Sequence, residues 1–308
     1  MNNSTIASPA PSPTAMWYFL QFATVVYFIV GTYILVALIR YELIKGKFKG
    51  PYMTPSFWMK IEAMMSGLCI VGCTLSTQIH LLLLIVPENS MDKTSVCITS
   101  FRAHAMLFYL GVISTYIFLW LRQYEFYQNS SFRYLNNTAT RIVSGTTITL
   151  IVLYRVSSIA VISISDTARW SKDIGCTFHK PSMVTSVYTA VADGASVITT
   201  LALFVLFLYP LIAMYKEERD SNTDGSSNNK NEVKSAIRIT VVSVVACVLS
   251  DFAGGMLTYK YFGKKVPNFF LTSWYDLSLL VNLIALVFTY GESRSILFGC
   301  CRNNNESN

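Results

Sequence analysis

Charged residues are scarce in this sequence. Only 13% of the 308 residues are Asp, Glu, Lys or Arg, whereas 53% are hydrophobic. A soluble protein of this size carries about 25% charged residues, so the chain lacks the polar surface that water requires. The deficit excludes a large soluble domain and indicates that hydrocarbon surrounds most of the chain. We therefore expect an all-α membrane protein with the lipid bilayer as its solvent.

Motifs of enzyme chemistry are also lacking. The chain contains no P-loop, no H-E-x-x-H and no motif of a nucleophile with its base. Its seven cysteines show no zinc-type spacing. We expect no enzyme activity, no metal and no cofactor. The net charge of +7 could suggest a nucleic-acid binder, but the basic residues lie in short loops between apolar runs. Such loops set membrane orientation, so no nucleic-acid partner is expected.

What the chain does contain is a series of seven apolar runs, each long enough to cross a bilayer core of about 30 Å. They predict a seven-transmembrane helical bundle over residues 17–290. No internal repeat is visible, which weakens an inverted-repeat transporter. The segment 216–234 is rich in Ser, Asn and charge and predicts a flexible cytoplasmic loop. The predicted helices cover residues 17–39, 58–86, 98–124, 142–165, 183–215, 236–261 and 269–290.

The distribution of basic residues predicts the orientation. With the N-terminus outside, the inner segments hold fifteen Lys and Arg and the outer loops hold seven. Residues 1–16 then form an extracellular tail, in which Asn2 and Asn3 begin glycosylation sequons. Residues 291–308 form a cytoplasmic tail with a short amphipathic helix, where Cys300 and Cys301 are palmitoylation candidates. We expect a multi-pass protein of the plasma membrane.

Two cysteines are expected on the oxidising side of the membrane. Cys97 lies at the outer start of the third helix, and Cys176 lies in the loop between helices four and five. Disulfides persist in that compartment, so the two predict a bridge that fixes a roughly twenty-residue loop over the bundle. The alternative is two unrelated thiols.

The stretch "FLWLRQYEFYQN" ends the third run at Arg122, which lies 25 residues after Cys97. The seven helices, the external N-terminus, the bridge and this spacing resemble the rhodopsin-like G-protein-coupled receptors. The resemblance implies that Arg122 is a G-protein switch. Leu121 replaces the acidic residue that precedes this arginine in the family, and C-W-x-P and N-P-x-x-Y are missing. Glu62 or Glu125 could replace that acid, although an arginine at an inner helix end also follows from snorkelling alone.

Ionisable residues within the predicted spans form a second group of candidates. Each such residue is costly at mid-bilayer unless it is paired or hydrated. Four of them fall near one depth and predict an intramembrane polar cluster or the floor of a pocket: Arg155, Asp193, Asp251 and Asp276. The alternative is an ion pair between Arg155 and one aspartate, with the other aspartates bonded to backbone or water.

Six further side chains lie nearer the outer surface, at the levels where the resemblance implies a small-molecule pocket. These are Arg102, His104, His179, Tyr188, Trp274 and Tyr275. Aromatic residues at helix ends are also typical of interface anchors. The expected function is a receptor that senses an extracellular small molecule or short peptide and signals through heterotrimeric G proteins. The alternative is a seven-helix channel, a chemoreceptor-type ion channel or a transporter subunit.

Overall fold

The computed structural model describes residues 15–45, 54–86, 92–128, 137–164, 168–171, 175–178, most of 187–209, 227–261 and 268–289. Within these ranges the chain is helical apart from one short hairpin. We number the helical residues of 187–209, which include Val197–Leu206, as α5. The other elements are α1 Ala15–Lys45, α2 Pro55–Leu82, α3 Lys93–Gln128, α4 Thr138–Ile164, β1 Ala168–Ser171, β2 Gly175–Phe178, α6 Ser227–Tyr261 and α7 Asn268–Thr289.

The described helices indicate a membrane protein. Five of them, α1 to α4 and α7, are long and apolar enough to cross a bilayer. Shorter apolar stretches occupy Val197–Leu206 of α5 and Val241–Leu257 of α6. The prediction of an all-helical membrane protein is therefore confirmed at this level.

Several helices extend beyond the apolar runs that predicted them. α3 begins at Lys93 rather than 98 and ends at Gln128 rather than 124. α6 begins at Ser227, so residues 227–234 are helical although the composition predicted a loop. The reason is that bilayer thickness sets the length of an apolar run, whereas backbone hydrogen bonds continue a helix into water. Residues 1–14, 216–226 and 290–308, including the predicted amphipathic helix, lie outside the described part of the chain.

The centre of the molecule is formed by α2, α3 and α7. α2 contacts α1, α3 and α7; α3 also contacts α4 and α7; and α6 packs on α7. In α7, 67% of the most apolar stretch is buried, against 28% in α1 and 22% in α4. α1 and α4 therefore present apolar surface to the outside. Gly72 lets α2 approach α3 closely, because a Cβ at this position would lie 2.7 Å from Cδ1 of Leu107.

A β-hairpin covers one end of the bundle. β1 pairs antiparallel with β2, and Cys176 of β2 is bonded to Cys97 of α3 with a Cα–Cα distance of 5.7 Å. The predicted disulfide is thus present. Gly175 adopts a φ of +85°, which a side chain disfavours. The ammonium of Lys93 lies 4.6 Å from the ring centre of Trp170. We call this the disulfide end and the opposite one the Arg122 end.

Candidate functional site

Asp251 on α6 is the centre of a hydrogen-bond network between helices. The Tyr116 hydroxyl of α3 donates to Oδ2 of Asp251 at 2.6 Å. On the other side, Oδ1 accepts from the Ser278 hydroxyl at 3.0 Å and from the Asn282 amide at 3.4 Å. Both oxygens of the carboxylate are therefore satisfied by protein donors, as the water-poor interior of a membrane protein requires.

The network continues beyond its carboxylate. Ser250 donates to Oδ1 of Asn282 at 3.1 Å, and the hydroxyl of Tyr116 lies 3.3 Å from Oγ1 of Thr200 on α5. Polar side chains thus connect α3, α5, α6 and α7. We call this set the Asp251 network; its members are Tyr116, Thr200, Ser250, Asp251, Ser278 and Asn282.

A second polar site lies between α2, α3 and α7. Nε2 of His104 is 3.0 Å from Oδ1 of Asp276, and the two side chains are 2% and 0% exposed. Cys73 of α2 completes the group: its sulfur, the His104 nitrogen and an Asp276 oxygen all lie within 4.8 Å of one another. The remaining oxygen, Oδ2 of Asp276, is buried and has no hydrogen-bond partner among the described residues. We call this group the Cys73–His104–Asp276 site.

Helix geometry keeps the two sites apart although both use α7. Residues two positions apart differ by about 200° around an α-helix. Asp276 therefore points toward α2 and α3, whereas Ser278 and Asn282, four residues apart, share the face toward α6. α7 therefore contributes to both sites, because it carries polar side chains on two opposite faces.

The structure keeps only part of the predicted four-residue cluster together, with Arg155 within electrostatic range of Asp251. Asp251 and Asp276 belong to separate groups. The guanidinium of Arg155 lies 4.9 Å from the ring centre of Tyr154 and 5.5 Å from that of Tyr109, in the geometry of cation–π contacts. Asp193 lies outside the described residues. The sequence gives the depth of these residues along their helices, but not the face on which each lies.

The pocket candidates also take different places. The ring of Tyr275 lies 6.4 Å from that of His104 and 4.6 Å from that of Phe108, so Tyr275 borders the Cys73–His104–Asp276 site. The hydroxyl of Tyr188 lies 2.5 Å from Oγ of Ser157, which joins α5 to α4.

The other candidates are not brought to one site. Arg102 on α3 and Trp274 on α7 are half-buried, and the Trp274 indole lies beside Gly254 of α6. His179, Asn2, Asn3, Cys300 and Cys301 lie outside the described residues.

Arg122 has an acidic partner within its own helix. Its Nη1 lies 3.0 Å from Oε2 of Glu125, and both side chains are half-buried at 22% and 28% exposure. Leu121, the residue before Arg122, is buried in the core. A groove of about 560 Å³ lies beside the pair and is lined by Thr54, Pro55, Ser56, Tyr124, Glu125 and Gln128. Glu125, one of the two acids that the sequence offers as partners of Arg122, is in contact with it.

The sequence did not single out Cys73, Tyr116 or Ser278. Each is a small or aromatic residue inside an apolar run, where such residues are common in helix contacts. The sequence shows only that each has a polar atom within an apolar run, and it does not indicate which residue that atom contacts. No protein-family model and no curated protein matches the chain.

Proposed function

We propose that the chain is a receptor-like protein that senses an extracellular small molecule or short peptide and signals through a heterotrimeric G protein. Its seven helices form a bundle across the plasma membrane, with the N-terminus outside and Asn2 and Asn3 glycosylated. The observation that carries the proposal is the Arg122–Glu125 pair, at the opposite end of α3 from Cys97.

α3 is suited to transmit a change along its length. Its 25-residue separation between Cys97 and Arg122 corresponds to about 37 Å at 1.5 Å per residue. One continuous helix thus meets the hairpin, the Cys73–His104–Asp276 site, the Asp251 network and Arg122. A ligand that shifts α3 relative to α6 and α7 would also shift Arg122 at the far end.

The pair with Glu125 replaces the restraint that Leu121 removes. A partly exposed ion pair is worth up to about 1 kcal/mol. That energy corresponds to an approximately fivefold change in the ratio of two conformations. Glu125 therefore restrains Arg122 without locking it, and the groove next to the pair offers a surface to a cytoplasmic partner.

The test is a G-protein activation panel in cells that express the full chain. Glu125→Gln should raise basal activation by up to about fivefold, since it weakens the pair. Arg122→Ala should abolish activation at unchanged surface expression. Glu62→Gln is the matched control, because Glu62 is the other acid near this end. An unchanged response in Arg122→Ala, or activation raised by Glu62→Gln and not by Glu125→Gln, would contradict the proposal.

Glycosylation mapping tests the orientation separately. Sugar on Asn2 or Asn3 is expected. Sugar on Asn129 or Asn136, which begin sequons on the predicted cytoplasmic side, would overturn the orientation.

A channel or transporter subunit is the second candidate. It is favoured by the buried His104–Asp276 pair, because ionisable residues inside membranes are typical of ion and proton pathways. Neutralising Asp193, Asp251 and Asp276 should then abolish a current or flux. Loss of flux together with a silent activation panel would favour this candidate over the receptor.

A further inference from the structure

We propose that Cys73, His104 and Asp276 bind a divalent transition-metal ion, with Zn²⁺ as the ion that fits best. The site offers one sulfur, one imidazole nitrogen and one carboxylate oxygen, all of which are zinc ligands. Each ligand comes from a different helix, at sequence separations that contain no metal motif. The proposal holds whether or not the chain activates a G protein.

The three ligand atoms lie almost as close together as they would around a bound zinc ion. Zinc bonds of about 2.0–2.3 Å in a tetrahedron separate the ligand atoms by about 3.2–3.7 Å. The three atoms already lie within 4.8 Å of one another, and His104 and Asp276 approach to 3.0 Å. The ligand atoms would therefore have to approach one another by no more than about 1–1.5 Å to surround an ion.

Asp276 supplies an independent observation. Its residue is 0% exposed, yet Oδ2 has no hydrogen-bond partner in the described part of the chain. Buried polar atoms are almost always paired, so an unpaired carboxylate oxygen beside a thiol and an imidazole requires an explanation. A cation held by the three side chains provides one.

The charges and ligand types also fit. Metal binding takes Cys73 as the thiolate, with its proton released to solvent, and takes His104 as the neutral tautomer whose proton is on Nδ1, so that Nε2 is free to bind the ion. Thiolate and carboxylate together balance a doubly charged ion, so the buried site would be neutral with an uncharged His104. Sulfur and nitrogen donors disfavour Mg²⁺ and Ca²⁺, which prefer oxygen. Three protein ligands leave a fourth position for water or for a donor atom of a small molecule.

The first experiment is a Co²⁺ titration of the full chain in lipid nanodiscs. Cys300→Ser and Cys301→Ser are introduced so that these thiols do not bind metal. We expect one Co²⁺ per chain, a thiolate-to-metal charge-transfer band and tetrahedral visible bands, all removed by Zn²⁺. Absence of the charge-transfer band in this parent protein would overturn the proposal.

Two cysteine variants show which cysteine supplies the sulfur ligand. Cys73→Ser should lose the charge-transfer band. Cys69→Ser is the matched control, because Cys69 is a free buried cysteine one turn away on the same helix and outside the ligand group, and it should keep the band. Asp276→Asn should keep the band but lose Co²⁺ affinity by at least about 10- to 100-fold. A band that persists in Cys73→Ser would refute the assignment.

Zinc X-ray absorption of the parent protein gives a result that does not depend on any variant at the site. The expected shell is one sulfur at about 2.3 Å with nitrogen and oxygen at about 2.0–2.2 Å. No sulfur, or two or more sulfurs, would exclude the Cys73–His104–Asp276 site.

Discussion

Two aspartates within the bundle, Asp251 and Asp276, differ in a way that burial alone does not explain. Asp251 is only partly buried, yet both of its oxygens accept hydrogen bonds, from Tyr116, Ser278 and Asn282. Asp276 is fully buried, yet among the residues that the structure describes only one of its oxygens has a partner, which is His104. If each group served stability alone, the more buried carboxylate would be expected to make more hydrogen bonds than the less buried one.

The difference assigns different roles to the two groups. A saturated carboxylate connects helices and stabilises their packing. A carboxylate that lacks a hydrogen-bond partner lowers stability. Such groups are typical of functional sites, where a bound ligand supplies the missing contact. Three predictions test this contrast on the free energy of unfolding, from the largest expected effect to the smallest.

Asp251→Ala should be the most damaging of the three changes. It leaves the donors of Tyr116, Ser278 and Asn282 without their acceptor. Hydrogen bonds between membrane helices average about 0.6 kcal/mol and reach about 1.7 kcal/mol, so we expect a loss of about 2–5 kcal/mol. Reversible unfolding in mixed micelles measures it. Asp251→Asn keeps one acceptor oxygen and should lose clearly less; equal losses in the two variants would contradict the network.

Tyr116→Phe should have an intermediate effect. It removes one hydroxyl and keeps the ring in the core, so the expected loss is about 1 kcal/mol. A double-mutant cycle with Asp251→Ala should show a coupling of at least about 0.5 kcal/mol, because the two groups are in contact. The same cycle with Asp276→Asn should be additive. A coupling between Tyr116 and Asp276 would instead show that the two sites form a single network.

Asp276→Asn, measured with a metal chelator present, should have the smallest effect. The amide retains an oxygen that can accept from His104, while a buried charge is removed. We expect a change within about 1 kcal/mol in either direction. A loss as large as that of Asp251→Ala would remove the distinction between the two aspartates.

The membrane helices could be predicted from the sequence because hydrocarbon demands long apolar runs, and these runs are visible in one dimension. The Cys97–Cys176 disulfide could be predicted because the expected topology left only two cysteines on the oxidising side. The hairpin could not, since two four-residue strands are too short for a pattern of alternation.

The partners of the buried polar groups were beyond sequence reasoning for another reason. A lipid-facing helix surface is as apolar as the core, so the usual contrast between helix faces is weak. The depths of Asp251 and Asp276 could therefore be read, but His104, Cys73 and Tyr116 could not be assigned to them. Glu125 could be named as a partner of Arg122 because a separation of three residues is local to one helix.

Because it is polar on two opposite faces, α7 contributes side chains to both polar groups, one toward α2 and α3 and the other toward α6. A sideways movement of α7 toward α2 and α3 would bring Asp276 closer to Cys73 and take Ser278 and Asn282 away from Asp251. A displacement of α7 would therefore change distances in both polar groups, although no side chain belongs to both of them.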